Sequence, residues 1–295
     1  MKNFRVGIIS AGDMGHAVAR ELFKRGHTTL TIVKNRTDLT KDRASRSNMK
    51  VVSGMKQLLD NSDFVFSIMP PDQAFEFAAS FTSALKVSRN LPVFVDCNAI
   101  SPGTTLSMNK LISGVGGKMI KVGIIGPPPG MDTPTKFYAS GENAALVDFI
   151  AGGDIQFLNL GSNLVHAAAI KICYAALTKG VMVLQSSALI AAELLGVGED
   201  FQDELKNSQN FHWELIEKRI SWLACDAGRW AGEMDQISET YQMLGLTPNL
   251  HKGAGDIFRL LEMSPLGNET RETYDHKRSL QESLNIFKES INKIK

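Results

Sequence analysis

The segment Phe4-Arg5-Val6-Gly7-Ile8-Ile9-Ser10-Ala11-Gly12-Asp13-Met14-Gly15 decides the fold. An apolar run predicts a strand over Phe4–Ser10, a turn follows, and a helical pattern begins directly after the turn. This order matches the dinucleotide fingerprint GxGxxG, whose second glycine lets backbone approach a pyrophosphate and whose third lets helix pack on strand. Ser10 stands at the first glycine position, and a serine can make the turn if its backbone angles are ordinary. Because amide groups at a helix start attract anions, we expect the cofactor to contact Ser10, Ala11, Gly12, Asp13, Met14 and Gly15.

The end of the second strand, predicted over Thr28–Val33, indicates which cofactor binds. In proteins that use NAD, an Asp or Glu about twenty residues beyond the motif hydrogen-bonds the ribose 2′-hydroxyl. Twenty positions after Gly15 this chain has Asn35, followed by Arg36 and Thr37. No carboxylate is present there to repel a 2′-phosphate, and a guanidinium is well shaped to bind one. We therefore expect Asn35, Arg36 and Thr37 to select NADP(H) over NAD; the alternative is that Arg36 is merely solvated.

Short β-branched runs alternate with helical stretches through the first half, a pattern typical of βαβ units and a parallel sheet. Further strands are predicted over Phe64–Met69 and Pro92–Asp96, and VGIIGPPPG and KFYASG continue the sheet around a loop over Gly126–Gly130. Beyond Gly161, long helices replace strands; they are predicted over Ala167–Leu195, Asn210–Leu223 and Asp226–Leu244. The sequence thus predicts an α/β Rossmann-type doubly wound N-terminal domain over residues 1–162 and an all-α C-terminal domain over residues 163–295.

The amino-acid composition restricts the kinds of binding partner that we expect for this protein. The chain has 295 residues, and 32 Lys and Arg nearly balance 31 Asp and Glu, so no global basic field favours nucleic acid or an anionic membrane. No run approaches about 18 uninterrupted apolar residues, and the chain starts with the strand motif, so we expect a cytoplasmic protein. Its three cysteines form no CxxC or Cys/His cluster, which predicts buried free thiols and no metal site.

One lysine stands out in the first predicted helix of the second domain. Lys171 lies within Ala167-Ala168-Ala169-Ile170-Lys171-Ile172-Cys173-Tyr174-Ala175, where an ammonium is costly unless it faces a cleft. Desolvation lowers the pKa of a lysine toward neutrality and suits it to proton transfer. The alternatives are that Lys171 reaches the surface along its apolar stem, or that Lys179 is the functional lysine. Because this helix is apolar almost all round, we expect burial between domains or subunits and a homodimer.

Taken together, these segments resemble the β-hydroxyacid dehydrogenases, relatives of 6-phosphogluconate dehydrogenase. GIISAGDMGHAVARELFKRGH is similar to the N-terminal signature of that family, and Asn35-Arg36-Thr37 to the corresponding segment of its NADP-dependent members. SIMPPDQA resembles the loop that lines the cofactor, DCNAISP the segment beside the nicotinamide ribose, and VGIIGPPPG the substrate-binding glycine loop. DCNAISPGTT, GIIGPPPG and RWAGEMDQISETYQMLGLTP look most like a subgroup whose helical C-terminal domain has no assigned function.

The resemblance implies roles for individual residues. Lys171 would hydrogen-bond the substrate oxygen and relay its proton while hydride passes between the substrate carbon and the nicotinamide. Further cofactor contacts are implied for Met69, Pro70, Pro71 and Asn98, and substrate contacts for Ile125, Gly126, Pro127, Tyr174 and Glu233. No metal is needed, because the cofactor carries the hydride chemistry.

This chain departs from the family pattern at the substrate. Ile125-Gly126-Pro127 replaces the usual serine and two glycines, which removes a hydroxyl and one amide donor. Tyr174 and Ala175 replace the asparagines that follow the lysine, and Gly232-Glu233 keeps only the acid of a Lys-Asp pair. Glu233 is predicted either to bind substrate or to pair with Arg229. These changes imply a substrate that is bulkier, less acidic or held differently than a small 3-hydroxy acid.

The leading hypothesis is an enzyme, an NADP-dependent oxidoreductase that interconverts a small-molecule carbonyl compound (semialdehyde, ketone or 3-oxo acid) and its hydroxy partner, with Lys171 as proton donor and acceptor. One alternative is an NADPH-dependent imine reductase, which shares the architecture but commonly carries another residue at the lysine position. A second alternative is a non-catalytic nucleotide-binding scaffold protein.

Overall fold

The computed structural model describes residues 2–294 and contains one eight-stranded sheet in the order β3-β2-β1-β4-β5-β6-β7-β8. The strands are β1 (Arg5–Ile9), β2 (Thr28–Thr31), β3 (Lys50–Val51), β4 (Phe64–Ser67), β5 (Val93–Asp96), β6 (Met119–Ile125), β7 (Lys136–Ser140) and β8 (Gln156–Asn159). All neighbouring strands are parallel except β6 and β7, which form an antiparallel pair. The chain first adds β2 and β3 on one side of β1 and then adds β4 on the other side of β1. A topological switch point therefore lies between β1 and β4.

Helices cover both faces of this sheet. They are α1 (Asp13–Lys24), α2 (Asp38–Arg46), α3 (Met55–Asp60), α4 (Pro71–Leu85) and α5 (Pro102–Ser113), with a 3-10 helix over Ala144–Ile150. Within β4, Phe64 and Phe66 belong to the core on one face, whereas Val65 belongs to the core on the other. A strand buried on both faces reads as a continuous apolar run, which explains why β1, β4 and β5 could be predicted.

The remainder of the chain is helical. It contains α6 (His166–Leu195), α7 (Gly198–Ser208), α8 (Asn210–Arg219), α9 (Ala224–Met243), α10 (Asn249–Glu262) and α11 (Leu280–Ile294), with 3-10 turns over Ile220–Trp222 and Pro265–Asn268. Two compact units divide the chain, the first ending at Ile172 and the second beginning at Cys173. The predicted fold class, a Rossmann-type domain followed by an all-α domain, is confirmed. The predicted boundary after residue 162 stays a prediction.

One expectation about burial stays a prediction and another is wrong. Leu177 and Leu184 of α6 are 69% and 59% exposed within one chain, and burial of this side of the helix between subunits stays a prediction. Of the cysteines, all free, only Cys97 is buried, Cys225 is half-buried and Cys173 is exposed, because Cys173 lies on an uncovered side of α6. By length and composition α6 is also apolar enough to cross a membrane, a test that core helices of soluble proteins pass as well.

Candidate active site

The turn after β1 has the features that a bound pyrophosphate requires. The Ser10 amide donates to the carbonyl of Ile68 at 3.0 Å, which ties the turn to the end of β4. A Cβ on Gly15 would lie 1.9 Å from the Ser10 carbonyl oxygen, so only glycine lets α1 approach this turn. A Cβ on Gly12 would meet nothing closer than the Ser10 hydroxyl at 3.6 Å. The backbone at Gly12 is therefore open to a ligand.

The start of α1 fits an anionic group. Gly12 is its N-cap and offers no side chain to the first amides, and the acceptors of these amides must come from outside the helix. Arg43 of α2 lies beside the same turn, with Nη2 3.9 Å from Oδ1 of Asp13. The donor set at this turn, uncapped amides beside a guanidinium, suits the pyrophosphate of a dinucleotide.

The segment after β2 presents positive charge to solvent. Lys34, Asn35 and Arg36 are exposed, and Asn35 adopts the left-handed conformation with φ of 59°. The nearest acidic residue along the chain, Asp38, already pairs with Lys41 at 2.8 Å. Thr37 is the N-cap of α2, where its hydroxyl accepts from the Thr40 amide at 3.3 Å. Binding of a cofactor by these residues stays a prediction.

A buried polar network joins the ends of β4 and β5 to Lys121 in the first half of β6. Asn98 accepts from the Met69 amide at 2.7 Å and donates to the Ser67 hydroxyl at 2.8 Å and to Asp96 at 2.6 Å. Lys121 donates to the Asp96 carboxylate and, at 2.6 Å, to the carbonyl of Asn98. The network holds Met69, whose loop leads through Pro70 into Pro71 at the start of α4. Two predicted cofactor residues, Met69 and Asn98, are thereby brought into direct contact.

Sequence reasoning missed Asp96 and Lys121. Both are fully buried and are register partners on neighbouring parallel strands. Their signal was a single charged residue in each of two strands that are otherwise apolar, VFVD and MIKVGII. Burial raises the pKa of the adjacent Cys97 thiol, and the Asp96 carboxylate adds to this effect. Cys97 is therefore a protonated, unreactive thiol at neutral pH.

Lys171 lies against the predicted substrate loop. Its Nζ donates to the carbonyl of Ile124 at 2.8 Å, one residue before the end of β6. A Cβ on Gly123 would lie 2.4 Å from the Ala167 carbonyl oxygen and 3.2 Å from Cβ of Lys171, so glycine lets the first turns of α6 pack directly on β6. The structure thus brings Lys171 together with the strand that delivers Ile125, Gly126 and Pro127.

Two other predicted substrate residues belong to the helical unit. Tyr174 is 48% exposed. Glu233 is buried, forms an ion pair with Lys179, and lies 3.8 Å from Nη1 of Arg229. Lys179 also lies 5.0 Å from the centre of the Trp230 ring. Lys179, the rival lysine, is therefore engaged in a buried ion pair on α6 and α9.

Two known domain families match separate parts of this chain. Residues 5–150 match the NAD binding domain of 6-phosphogluconate dehydrogenase, and residues 192–261 match a domain of unknown function, DUF1932. An uncharacterized 28.5 kDa protein of Methanothermus fervidus is 24% identical over 259 residues, which cover 88% of this chain and 99% of that protein. The mitochondrial 3-hydroxyisobutyrate dehydrogenase of Drosophila melanogaster is 24% identical over 197 residues, 66% of this chain and 56% of that enzyme.

Solved structures share the fold along the full chain. A 3-hydroxyisobutyrate dehydrogenase of Mycobacterium tuberculosis has a TM-score of 0.65 at 14% identity and covers 100% of both chains. An imine reductase of Streptomyces aurantiacus has a TM-score of 0.53 at 19% identity and covers 99% of both chains. At these identities the likeness shows the fold alone.

Proposed function

Since the chain belongs to the β-hydroxyacid dehydrogenase-like family with a helical C-terminal domain, we propose that it is an NADP-dependent oxidoreductase acting on a small carbonyl compound and its hydroxy partner. The observation that carries the proposal is the hydrogen bond between Lys171 and Ile124, which holds an ammonium at the end of β6 beside the predicted substrate loop. Ligands of open α/β sheets bind at this edge, outside the carboxyl ends of the parallel strands.

The family match supports a nicotinamide cofactor, which supplies the hydride when bound. The uncapped amides at Asp13 and the open backbone at Gly12 are suited to hold its pyrophosphate, and Asn98 and Met69 to line its nicotinamide half. Arg36, exposed beside β2 with no competing carboxylate in that segment, supports NADP over NAD. In this proposal Lys171 donates a proton from Nζ to the carbonyl oxygen as the carbon is reduced, and removes it in the reverse reaction.

Rates of NADPH consumption by wild type and Lys171→Ala test the proposal. The substrates are 3-oxo acids, semialdehydes, simple ketones and cyclic imines, and Lys110→Ala, an exposed lysine on α5, is the matched control. We expect turnover of a carbonyl compound that falls at least about 100-fold in Lys171→Ala, the scale of a lost general acid, while NADPH affinity changes within a few fold. The control should keep wild-type rates.

Other outcomes distinguish the alternatives. Turnover of imines alone would favour an imine reductase. Tight NADPH binding with no turnover of any compound would favour a non-catalytic nucleotide-binding protein. Equal turnover by wild type and Lys171→Ala would reject Lys171 as the proton donor.

A further inference from the structure

The loop between β6 and β7 has an unusual supply of hydrogen-bonding groups. It reads Gly126-Pro127-Pro128-Pro129-Gly130, called the proline loop below, and begins two residues beyond the carbonyl that accepts from Lys171. Proline has no amide hydrogen, so three consecutive positions offer no backbone donor. Within the proline loop only the two terminal glycines carry an N–H group.

The conformation of the proline loop is held at both ends. The Thr135 hydroxyl donates to the Pro127 carbonyl, and Nη2 of Arg20 on α1 donates to the Pro129 carbonyl at 2.9 Å. Gly126 has φ of 128°, and a Cβ there would lie 3.0 Å from Cα of Thr135. These contacts hold the backbone at Pro127 and Pro129, and the three proline nitrogens offer no N–H group in any conformation.

The cation that touches the proline loop is also engaged. Arg20 lies 3.3 Å from Oε1 of Glu21, a buried carboxylate that Lys24 contacts at 2.8 Å. The positive charge of Arg20 is therefore matched by a neighbouring carboxylate within α1. Lys171 is assigned to the reacting oxygen in the proposed function. Neither cation is available as a dedicated anchor for a second anionic group.

A carboxylate taken out of water must regain its hydrogen bonds, and an isolated one is very costly to bury. The proline loop offers such a group Ile125 and the half-buried rings of Pro127 and Pro128, an apolar surface whose N–H groups are confined to the two terminal glycines. We propose, on the basis of the proposed function, that the substrate is a neutral ketone or aldehyde whose uncharged, apolar substituent packs against the proline loop. This substrate class excludes an acid whose carboxylate occupies that position.

Matched pairs of compounds test the inference by kinetics. Acetoacetate and methyl acetoacetate carry the same reacting ketone and differ in charge. We expect kcat/KM to be at least about tenfold higher for the ester. In each further pair of a 3-oxo acid and its methyl ester, the ester should again have the higher kcat/KM. An equal or higher value for the acid overturns the inference while leaving the oxidoreductase proposal intact.

A binding measurement decides the question without turnover. Pentan-2-one and pentanoate are titrated into the 295-residue protein loaded with NADP⁺, which carries no hydride to reduce the ketone, and the dissociation constants are measured by ligand-observed NMR. The ketone should bind at least about tenfold more tightly. Equal affinity, tighter binding of pentanoate, or no binding of either compound overturns the inference.

Restoring donors to the proline loop should change specificity in a defined direction. Pro127→Ala combined with Pro128→Ala returns two amide hydrogens without adding charge. We expect the ratio of kcat/KM for acetoacetate over methyl acetoacetate to rise about tenfold. Pro134→Ala, in the same β6–β7 connection but outside the proline loop, is the matched control and should leave the ratio unchanged. Because the ratio compares two substrates on one protein, a general loss of stability does not mimic this result; an unchanged ratio in the double variant overturns the inference.

Discussion

At the scale of single residues, Asn98 shows how one side chain organises a loop. Its amide oxygen holds the Met69 backbone, and its amide nitrogen is oriented by Ser67 and Asp96. Asp96 in turn accepts from Lys121. A buried carboxylate is tolerated only when it is paired and hydrogen-bonded, so the position of Asn98 depends on Lys121, which lies beneath the site.

Lys121→Met should be strongly destabilising. The change removes the partner of Asp96 and leaves a buried, uncompensated carboxylate, which costs about 3–5 kcal/mol. Urea unfolding measures this loss. Adding Asp96→Asn to Lys121→Met removes the stranded charge, and the double variant should recover part of the lost free energy. A double variant less stable than Lys121→Met would contradict this account of the network.

Arg36→Ala should alter cofactor preference. If the guanidinium binds the 2′-phosphate, its loss weakens NADPH by about 1.5–3 kcal/mol, the range for a hydrogen bond to a charged group, and leaves NADH affinity unchanged. Dissociation constants for both cofactors, measured by fluorescence titration, check the prediction. Arg46→Ala, an exposed arginine on α2, is the control. Equal weakening of NADPH and NADH would remove Arg36 from the 2′-phosphate site.

At the scale of elements, Asp226 fastens the start of α9 to the irregular segment before α11. Its carboxylate accepts from Nη2 of Arg229 at 2.7 Å and from Nε and Nη2 of Arg271 at 2.8 and 2.6 Å. The Arg271 guanidinium lies 3.3 Å from the centre of the Trp222 ring. Burial by itself raises the pKa of Asp226, but Arg229 and Arg271 outweigh it, and the pKa of Asp226 is below its ordinary value.

This shift predicts a pH dependence. A carboxyl group whose pKa is lower in the folded state stabilises the fold above its unfolded pKa, about 3.9, and the stabilisation is lost as pH falls through the folded value. Asp226→Asn should therefore cost about 1.5–3 kcal/mol at pH 7 and flatten the decline of stability below about pH 4. Urea unfolding from pH 7 to pH 2 measures both effects, with exposed Asp203→Asn as control. Parallel profiles for Asp226→Asn and wild type would exclude this role.

The burial of each strand explains which parts of the fold could be predicted from the sequence. β1, β4 and β5 are buried on both faces and read as apolar runs, whereas the two-residue β3 is exposed and β8 is exposed at three of its four positions, so neither was predicted. The glycine turn and Lys171 carry local signals, a strand-turn-helix order and a charge in an apolar helix. The ion pair of Lys179 with Glu233 joins residues 54 positions apart and could not be predicted from the sequence around either residue. Asp96 and Lys121 were missed for the same reason, because they become neighbours only through the register of β5 and β6.

At the scale of the whole molecule, the uncovered side of α6 predicts self-association. Leu177 and Leu184 are separated by seven residues, which places them on one face of the helix, and both are exposed. Together with Leu250 of α10 they line an apolar groove of about 150 Å³. Exposed apolar patches of this kind mark association sites.

We therefore expect a homodimer in solution. Light scattering coupled to size-exclusion chromatography should give about twice the 32.3 kDa chain mass for wild type. Leu177→Glu combined with Leu184→Glu should shift the protein toward the monomer, since it places two charges in the apolar face. Leu106→Glu, at an exposed leucine on α5, serves as the control. A wild-type monomer, or a dimer that survives the double substitution, would show that α6 does not form the interface.

The division of the chain at Ile172 falls inside α6, and this has a consequence for how such proteins can be recombined. The Ala167 amide donates to the Ser140 hydroxyl at 3.0 Å, and that hydroxyl donates to the Leu164 carbonyl at 2.7 Å, so residues 164–167 are stitched to β7. A chimera joined after residue 162 would take residues 164–167, and with them the hydrogen-bond partners of Ser140, from the other protein. A chimera joined after Ile172 would keep these hydrogen bonds. Its junction must also preserve the rotation of the helix, because each inserted residue turns the following part of α6 by about 100°. A single-residue insertion there would rotate the Leu177–Leu184 face by that angle about the axis of α6.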